Sequence, residues 1–439
     1  MMHFISKQNI NMSIYFSLLL GLMPFSFIAG NMIININVIL IILSSFVFLR
    51  KELFEIKYIT IDKILLAYFV LILITGFIND LYFYKNNIGN NFFITTIKSI
   101  LFLKYLFLYF SLRLLIIKDI INLKLFFIFC SLATIFVSLD IFYQFFFGKD
   151  IFGFEADFSS RKLSGPFGDE LIAGSFIQRF SIFSFFVLPL YFLNFSKKFS
   201  LVVVPILFVI FLIGIILSGN RMPLLLFLFT LFLMFIFQKQ LRKYFISTVL
   251  IFLLTFTVIY NFNDNVKKNF INFHGQVKNI ISSVIHNEKL TKQPQYLKEF
   301  STFYDTWLMH KYIGGGIKNF RYYCHERPNI KKNVKFVCNM HPHNYYLEIL
   351  TETGLIGFLI LIIAFGKILY STLYKKYFTK HILNENILII PFIFLFISEI
   401  FPLKSTGSFF TTGNATYLFL IMGILIGLYQ RDISIEKKY

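Results

Sequence analysis

Apolar runs long enough to cross a bilayer recur along this chain from one end to the other, and that recurrence fixes the solvent it folds in. A helix spanning the hydrocarbon layer needs ~20 predominantly apolar residues. About twelve stretches approach that requirement: Ser13–Ala29, Met32–Leu49, Lys63–Ile78, Thr95–Leu112, Leu123–Phe147, Leu171–Asn194, Leu201–Ser218, Met222–Phe237, Tyr244–Asn261, Tyr346–Ile368, Ile387–Phe401 and Ala415–Leu428. The shorter ones lean on their flanks. The division between the seventh and eighth rests on reading Ser218-Gly219-Asn220-Arg221-Met222-Pro223 as a turn, since it combines charge with helix-breaking residues. Composition agrees: 57% of the 439 residues are hydrophobic and 15% charged, whereas soluble domains hold about a quarter charged residues. With no water in the hydrocarbon layer the backbone must satisfy itself, so the helices form one bundle. The expected fold is an all-α polytopic membrane protein, residues 1–439 making a single transmembrane domain. The first apolar run lacks a small-residue cleavage site and reads as a retained helix.

A formal net charge of +20 invites a nucleic-acid reading. Its distribution argues against one. If the N-terminus is cytoplasmic, successive cytoplasmic loops hold Arg50, Lys51 and Lys57; Lys118; Lys197 and Lys198; Lys239, Arg242 and Lys243; Lys375, Lys376 and Lys380; and Arg431, Lys437 and Lys438. Short loops on the other face hold only Lys85, Lys149, Arg161, Lys162, Arg221 and Lys404. Lysine and arginine in short loops set topology, so both termini are expected in the cytoplasm. The stretch 262–344 is then one long extracytoplasmic loop, too long for its own lysines to count. Its basic residues suit an anionic partner such as a lipid diphosphate. No basic and aromatic module of the single-strand-binding type lies outside the apolar helices.

Six of the eight histidines fall in that loop: His274, His286, His310, His325, His341 and His343. The first three read as ordinary surface residues. His343 differs, because the run His343-Asn344-Tyr345-Tyr346-Leu347-Glu348-Ile349-Leu350-Thr351-Glu352-Thr353-Gly354 leads into the apolar stretch Leu355–Ile363. An imidazole at the membrane rim can accept a proton at ambient pH. Arg179 falls inside a span, where an ionisable residue is a functional candidate; diphosphate binding and a structural pair with a carboxylate are both open. Lys98, near the outer end of its span, reaches substrate or pairs with Asp140. Arg161 and Lys162 stand in an outer loop within reach of a diphosphate or the first sugars. Glu352 lies within the histidine run, orienting a base or capping a polar cavity, and Glu399 has no assignable role. Gly314-Gly315-Gly316 is not followed by Gly-Lys-Ser/Thr, so it is a flexible hinge or a close backbone approach to a ligand, not a nucleotide loop. Cys130 packs within a span. Cys324 and Cys338 share the outer loop, where oxidising conditions favour a disulfide worth about 3 kcal/mol in the chain-entropy model. A zinc site with His325 and His341 is the competing reading, at irregular spacing.

The run from His343 to Gly354 resembles the signature of the O-antigen ligase and polymerase superfamily of bacterial envelope glycan assembly. Gly314-Gly315-Gly316-Ile317-Lys318-Asn319-Phe320 resembles that family's glycine-rich segment ahead of the histidine, and Ser218-Gly219-Asn220-Arg221 its S-G-x-R turn. Arg161-Lys162-Leu163-Ser164-Gly165-Pro166-Phe167-Gly168 resembles its basic, glycine-containing element before a middle helix. Together they cover roughly Arg161 to Gly357, while the N-terminal helices match in number and hydrophobicity only. The resemblance implies a GT-C-like glycosyltransferase with no cofactor and no metal. It would sit in the bacterial inner membrane with its long loop in the periplasm, among membrane lipids and without a nucleic-acid partner. The implied donor is a glycan on undecaprenyl diphosphate, and the implied acceptor is lipid A core or a similar glycan. His343 matches the family's histidine, the candidate base, and Arg221 its arginine, which would stabilise the departing diphosphate. Arg161, Lys162, Arg179 and Lys98 are the further candidates for substrate binding. A repeat-unit polymerase on the same fold is the nearest alternative, followed by a protein O-oligosaccharyltransferase and a lipid-linked glycan transporter.

Overall fold

A computed structural model describes residues 2–85, 93–156, 162–191, 197–286, 294–326, 338, 341–379, 386–405 and 407–436. In chain order its main helices are α1 (Asn11–Ala29), α2 (Asn31–Phe48), α3 (Thr60–Lys85), α4 (Ile94–Ile117), α5 (Leu123–Phe147), α6 (Ala173–Val187), α7 (Val202–Leu217), α8 (Arg221–Phe237) and α9 (Phe245–Phe262). The loop region supplies α10 (Asp264–Ile285), α11 (Gln295–Met309) and α12 (Phe320–Glu326). The last three are α13 (Tyr345–Phe378), α14 (Ile389–Glu399) and α15 (Thr412–Ile435). Eight of these, α1 to α5, α9, α13 and α15, are long and apolar enough to cross a membrane. The shorter apolar helices α6, α7, α8 and α14 stand where the remaining four spans are read from sequence. Among the described residues there is no strand, only an isolated bridge between Lys149 and Glu155. The chain is an all-α polytopic membrane protein.

α15 runs through the middle, with Tyr417–Leu428 buried almost without interruption. Two glycines let it approach α4 closely. A Cβ on Gly423 would stand 3.1 Å from the Tyr109 carbonyl oxygen, and one on Gly427 2.9 Å from the Ile116 Cβ. Small residues at such crossings let van der Waals packing supply association that lipid cannot.

The two ends of the bundle differ in chemistry. At one, Arg113 pairs with Asp62 and donates to Gln430 Oε1, and surface pairs join Lys118 to Glu52 at 3.0 Å and Arg431 to Asp119 at 2.8 Å. At the other, Asp80 near the end of α3 accepts the Thr95 and Thr96 N–H groups at 3.1 and 2.6 Å. A carboxylate there satisfies donors that the first turn of α4 leaves open. α3 therefore continues past Ile78, where the sequence reading ended it, because Asn79 and Asp80 bury against partners rather than face water.

α13 is interrupted where it should be strongest. Gly354 adopts φ 68°, ψ −175°, which breaks the ladder inside an otherwise continuous helix. The glycine-rich segment repairs the break. Gly315 N–H donates to Thr351 O and Gly316 N–H to Glu352 O, both at 2.9 Å, while Leu355 and Ile356 donate to Lys311 O and Tyr312 O at 2.8 and 3.1 Å. Backbone groups freed at membrane depth must find protein partners. Gly314 to Gly316 thus form neither a hinge nor a ligand cradle: their close approach is to the helix itself. A Cβ on Gly314 would lie 2.4 Å from the Glu352 carbonyl carbon, and one on Gly354 2.2 Å from Tyr312 O. Gly314→Ala or Gly354→Ala should each lower thermal stability in detergent by several degrees, from left-handed strain of ~1–2 kcal/mol plus overpacking of ~1–3 kcal/mol. An unchanged melting temperature would refute the stitched break.

Candidate functional site

His343 stands one residue before the α13 cap. Asn344 is that cap: its Oδ1 accepts from Tyr346 and Leu347 N–H at 3.0 and 3.2 Å, as asparagine commonly does at helix starts. Its Nδ2 donates to Pro402 O at 2.7 Å, and the Tyr346 hydroxyl donates to Ile400 O, so the start of α13 is tied to the turn after α14. His343 itself has φ 46° and is exposed. It lines a cleft of about 410 Å³ together with Gln276, Ile280, Pro294, Gln295, Glu299 and Ser405. The His341 ring meets it edge-on, centroids 4.6 Å apart. Burial first, then the fields of His343 and Lys318, hold His341 down to about 4, so it is neutral at ordinary pH.

Arg221 begins α8 and is fixed against α10. Its Nε donates to Asn269 Oδ1 at 2.7 Å and its Nη1 to Gln276 Oε1 at 2.8 Å, with the guanidinium 5.4 Å from the Phe273 ring centre. Asn269 returns a hydrogen bond to Gly219 O at 3.0 Å, locking the turn that carries the arginine. Gln276 is the link: it receives Arg221 and also lines the cleft of His343. Lys162 belongs to the same neighbourhood. Its ammonium is lowered from the usual lysine range by burial and then by the field of Arg221. Arg161 lies outside the described residues.

Arg179 is engaged within the bundle. It reaches Glu399 with Nε at 3.2 Å and Nη2 at 2.7 Å, and Nη2 also donates to Asn414 Oδ1 at 2.7 Å. The Tyr345 hydroxyl donates to Glu399 Oε1 at 2.7 Å, and Lys404 Nζ stands 2.7 Å from Oε2. One buried carboxylate therefore faces two cations, immediately beneath the turn that holds His343. Burial pushes Lys404 down to about 8, against the pull of Glu399. Arg179 is not among the residues lining the cleft. Sequence reasoning left Glu399 without a role and counted Lys404 only for topology. Their signal was an acid inside a span, which demands a cation, though not a particular one.

Lys98 makes no pair with Asp140, whose Oδ1 instead accepts Ile151 N–H at 2.9 Å. The Lys98 ammonium is buried, 5.9 Å from the Tyr322 ring centre, and its field reaches buried Glu352 along with that of Lys318. Cys324 and Cys338 are joined to each other, Sγ to Sγ, with Cα atoms 5.7 Å apart. Cys324 packs there with Phe303 and Phe320, between α11 and α12.

Residues 206–362 match the family model described as O-Antigen ligase. The matched stretch runs from within α7, through Arg221 and the loop helices, to His343 and the interrupted part of α13. A search of curated proteins gives no match.

Removing one partner of a buried ion pair costs ~3–5 kcal/mol, because the remaining charge is left uncompensated. Glu399→Gln should therefore reduce the yield of folded protein and its melting temperature sharply, with two cations left facing an amide. Thermal unfolding in detergent measures it; a variant as stable as the parent would mean that the carboxylate is not what holds the two cations.

Proposed function

Since residues 206–362 place this chain in the O-antigen ligase and polymerase superfamily, we propose that it is the ligase type of that group. It would move a glycan from undecaprenyl diphosphate to lipid A core, or to a similar acceptor, on the periplasmic face of the inner membrane. The superfamily accounts for the coarser part, a multi-pass, glycosyltransferase-type enzyme acting on a lipid-linked glycan. One observation supports the transfer chemistry: Gln276 both binds Arg221 and lines the cleft of His343, so one side chain links the candidate base to the candidate cation.

The step balances without a further reactant. An acceptor hydroxyl gives its proton to His343 as its oxygen forms a bond to the anomeric carbon of the donor sugar. The bond from that carbon to the phosphate oxygen breaks, and its electron pair leaves on undecaprenyl diphosphate. Arg221 meets that growing charge with a planar fork suited to two phosphate oxygens. Lys162 adds to the same positive surface, and Arg161 precedes it in sequence. Arg179 would contribute through the turn it supports, and Lys98 through its field. With a base and a fixed cation in these roles the transfer needs no metal. Basic short loops on the face away from His343 support cytoplasmic termini and a periplasmic 262–344 segment.

Purified protein given a defined lipid-linked donor should load lipid A core rather than extend a second carrier-linked glycan; the reverse preference would make it a polymerase. His343→Ala should lower transfer by ~10²–10⁴-fold, the usual worth of a general base. Arg221→Ala should lower it by ~10²–10³-fold, as for loss of a charge-stabilising donor. Donor flipping across the membrane with no transfer to either acceptor would overturn the enzymatic reading.

A further inference from the structure

A single residue joins α9 to α10. Asn263, extended at φ −126° and ψ 105°, caps α10 by accepting the Val266 N–H at 3.0 Å, so the chain turns sharply where the span ends. α9 buries none of its residues, Phe245–Phe262, against the rest of the chain, and Phe262 at its end is 89% exposed. An apolar helix so placed faces lipid along its length. Phe270 of α10 packs on it nonetheless, with its ring 4.9 Å from that of Phe256. The face of α10 that carries Phe270 is therefore the face turned toward the lipid side of α9.

Two turns further along, that face continues as Val277, Ile281 and Val284, at helical spacing and all exposed, Ile281 by 54%. Lys267 and Lys278 stand exposed along its edge, and the side of the helix away from it is polar, with Lys268, Asn272 and Asn279 exposed there. A third side belongs to the bundle, where Asn269 and Gln276 hold Arg221. An apolar stripe edged by lysines, on a helix that starts where a span ends, has the chemistry of the boundary between acyl chains and phosphates. Its branched side chains replace water with lipid, and the long lysine stems carry their ammonium groups to the headgroups. Three lysines against one aspartate, Asp264, suit an anionic phospholipid better than a neutral one. The stripe is also continuous with the lipid surface of α9, which a protein partner could cover only by displacing lipid.

We infer that α10 lies in the membrane interface: Phe270, Val277, Ile281 and Val284 seat in the leaflet beside α9, and Lys267 and Lys278 meet the phosphates of anionic phospholipid. The seat has a mechanical consequence. Because Asn269 and Gln276 grip Arg221 from the bundle side of the same helix, it fixes the guanidinium at headgroup depth. The inference needs α9 to span the membrane and does not depend on the transferase reading.

The full-length protein in lipid nanodiscs tests this with a nitroxide on an introduced cysteine. Cys130 is buried and Cys324 is bonded to Cys338, so the label goes to the new site, and every substitution falls on an exposed residue. Labels on Val277→Cys and Ile281→Cys should be open to oxygen, which concentrates among acyl chains, and several-fold less open to a water-soluble nickel chelate. Asn272→Cys and Asn279→Cys should show the reverse. Equal access of nickel to every position would place α10 in water, and labels at 277 and 281 closed to both reagents would mean that protein covers the face; either result overturns the seat. Discs of phosphatidylglycerol should hold the Ile281→Cys label deeper than discs of phosphatidylcholine, and adding Lys267→Gln and Lys278→Gln should abolish the difference. Equal depth in the two lipids with both lysines present overturns the charge assignment.

Discussion

Lipid offers the backbone no water, and the site of this protein depends on how that shortage is met. α13 breaks at Gly354, which would strand carbonyl and amide groups in an apolar surround. A segment from Lys311 to Gly316 enters beside the break and supplies four backbone hydrogen bonds. Thr75 adds an anchor from α3, donating to Ile313 O at 2.9 Å. The same contact fixes where α12 begins, and with it Lys318, the charge whose field reaches His341 and Glu352. The upper part of α13, from its Asn344 cap to the break, becomes a short rigid piece bound on three sides. His343 is carried on its rim.

Electrostatics beneath that rim work in the same direction. Arg179 and Lys404 share Glu399, which leaves one positive charge in excess in a buried network bonded to Tyr345. Burial makes such a network costly and strongly dependent on all its members. Its position places that charge below the cleft instead of within it. Arg221 and Lys162, by contrast, approach from the α8 and α10 side.

Sequence patterning carried the helices because lipid enforces it: every apolar run read as a span is an apolar helix. It also located His343, since an imidazole between a polar loop and an apolar run is visible in one dimension. Contacts between distant segments were not visible. Nothing in Gly314-Gly315-Gly316 announces a partner nearly forty residues later, and a flexible hinge is what such a run usually means. Glu399 signalled a need for a cation, but only the fold selects Arg179 and Lys404 from the basic residues available. The loop helices had a signal that went unused: Val266, Phe270, Phe273, Val277, Ile280 and Val284 repeat at intervals of four and three along α10. Reading that stretch as loop hid Gln276, Gln295 and Glu299 together.

Those three residues show what the folded segment adds at the rim of the bundle: polar side chains held in fixed positions around His343 and Arg221. Those require rigid elements beyond the apolar bundle. α10 carries Gln276 toward Arg221, α11 carries Gln295 and Glu299 toward His343, and the Cys324–Cys338 bridge beside Phe303 and Phe320 ties α11 down. The apolar bundle carries the rim on which His343 and Arg221 stand, and the helices above it hold the polar side chains that surround them.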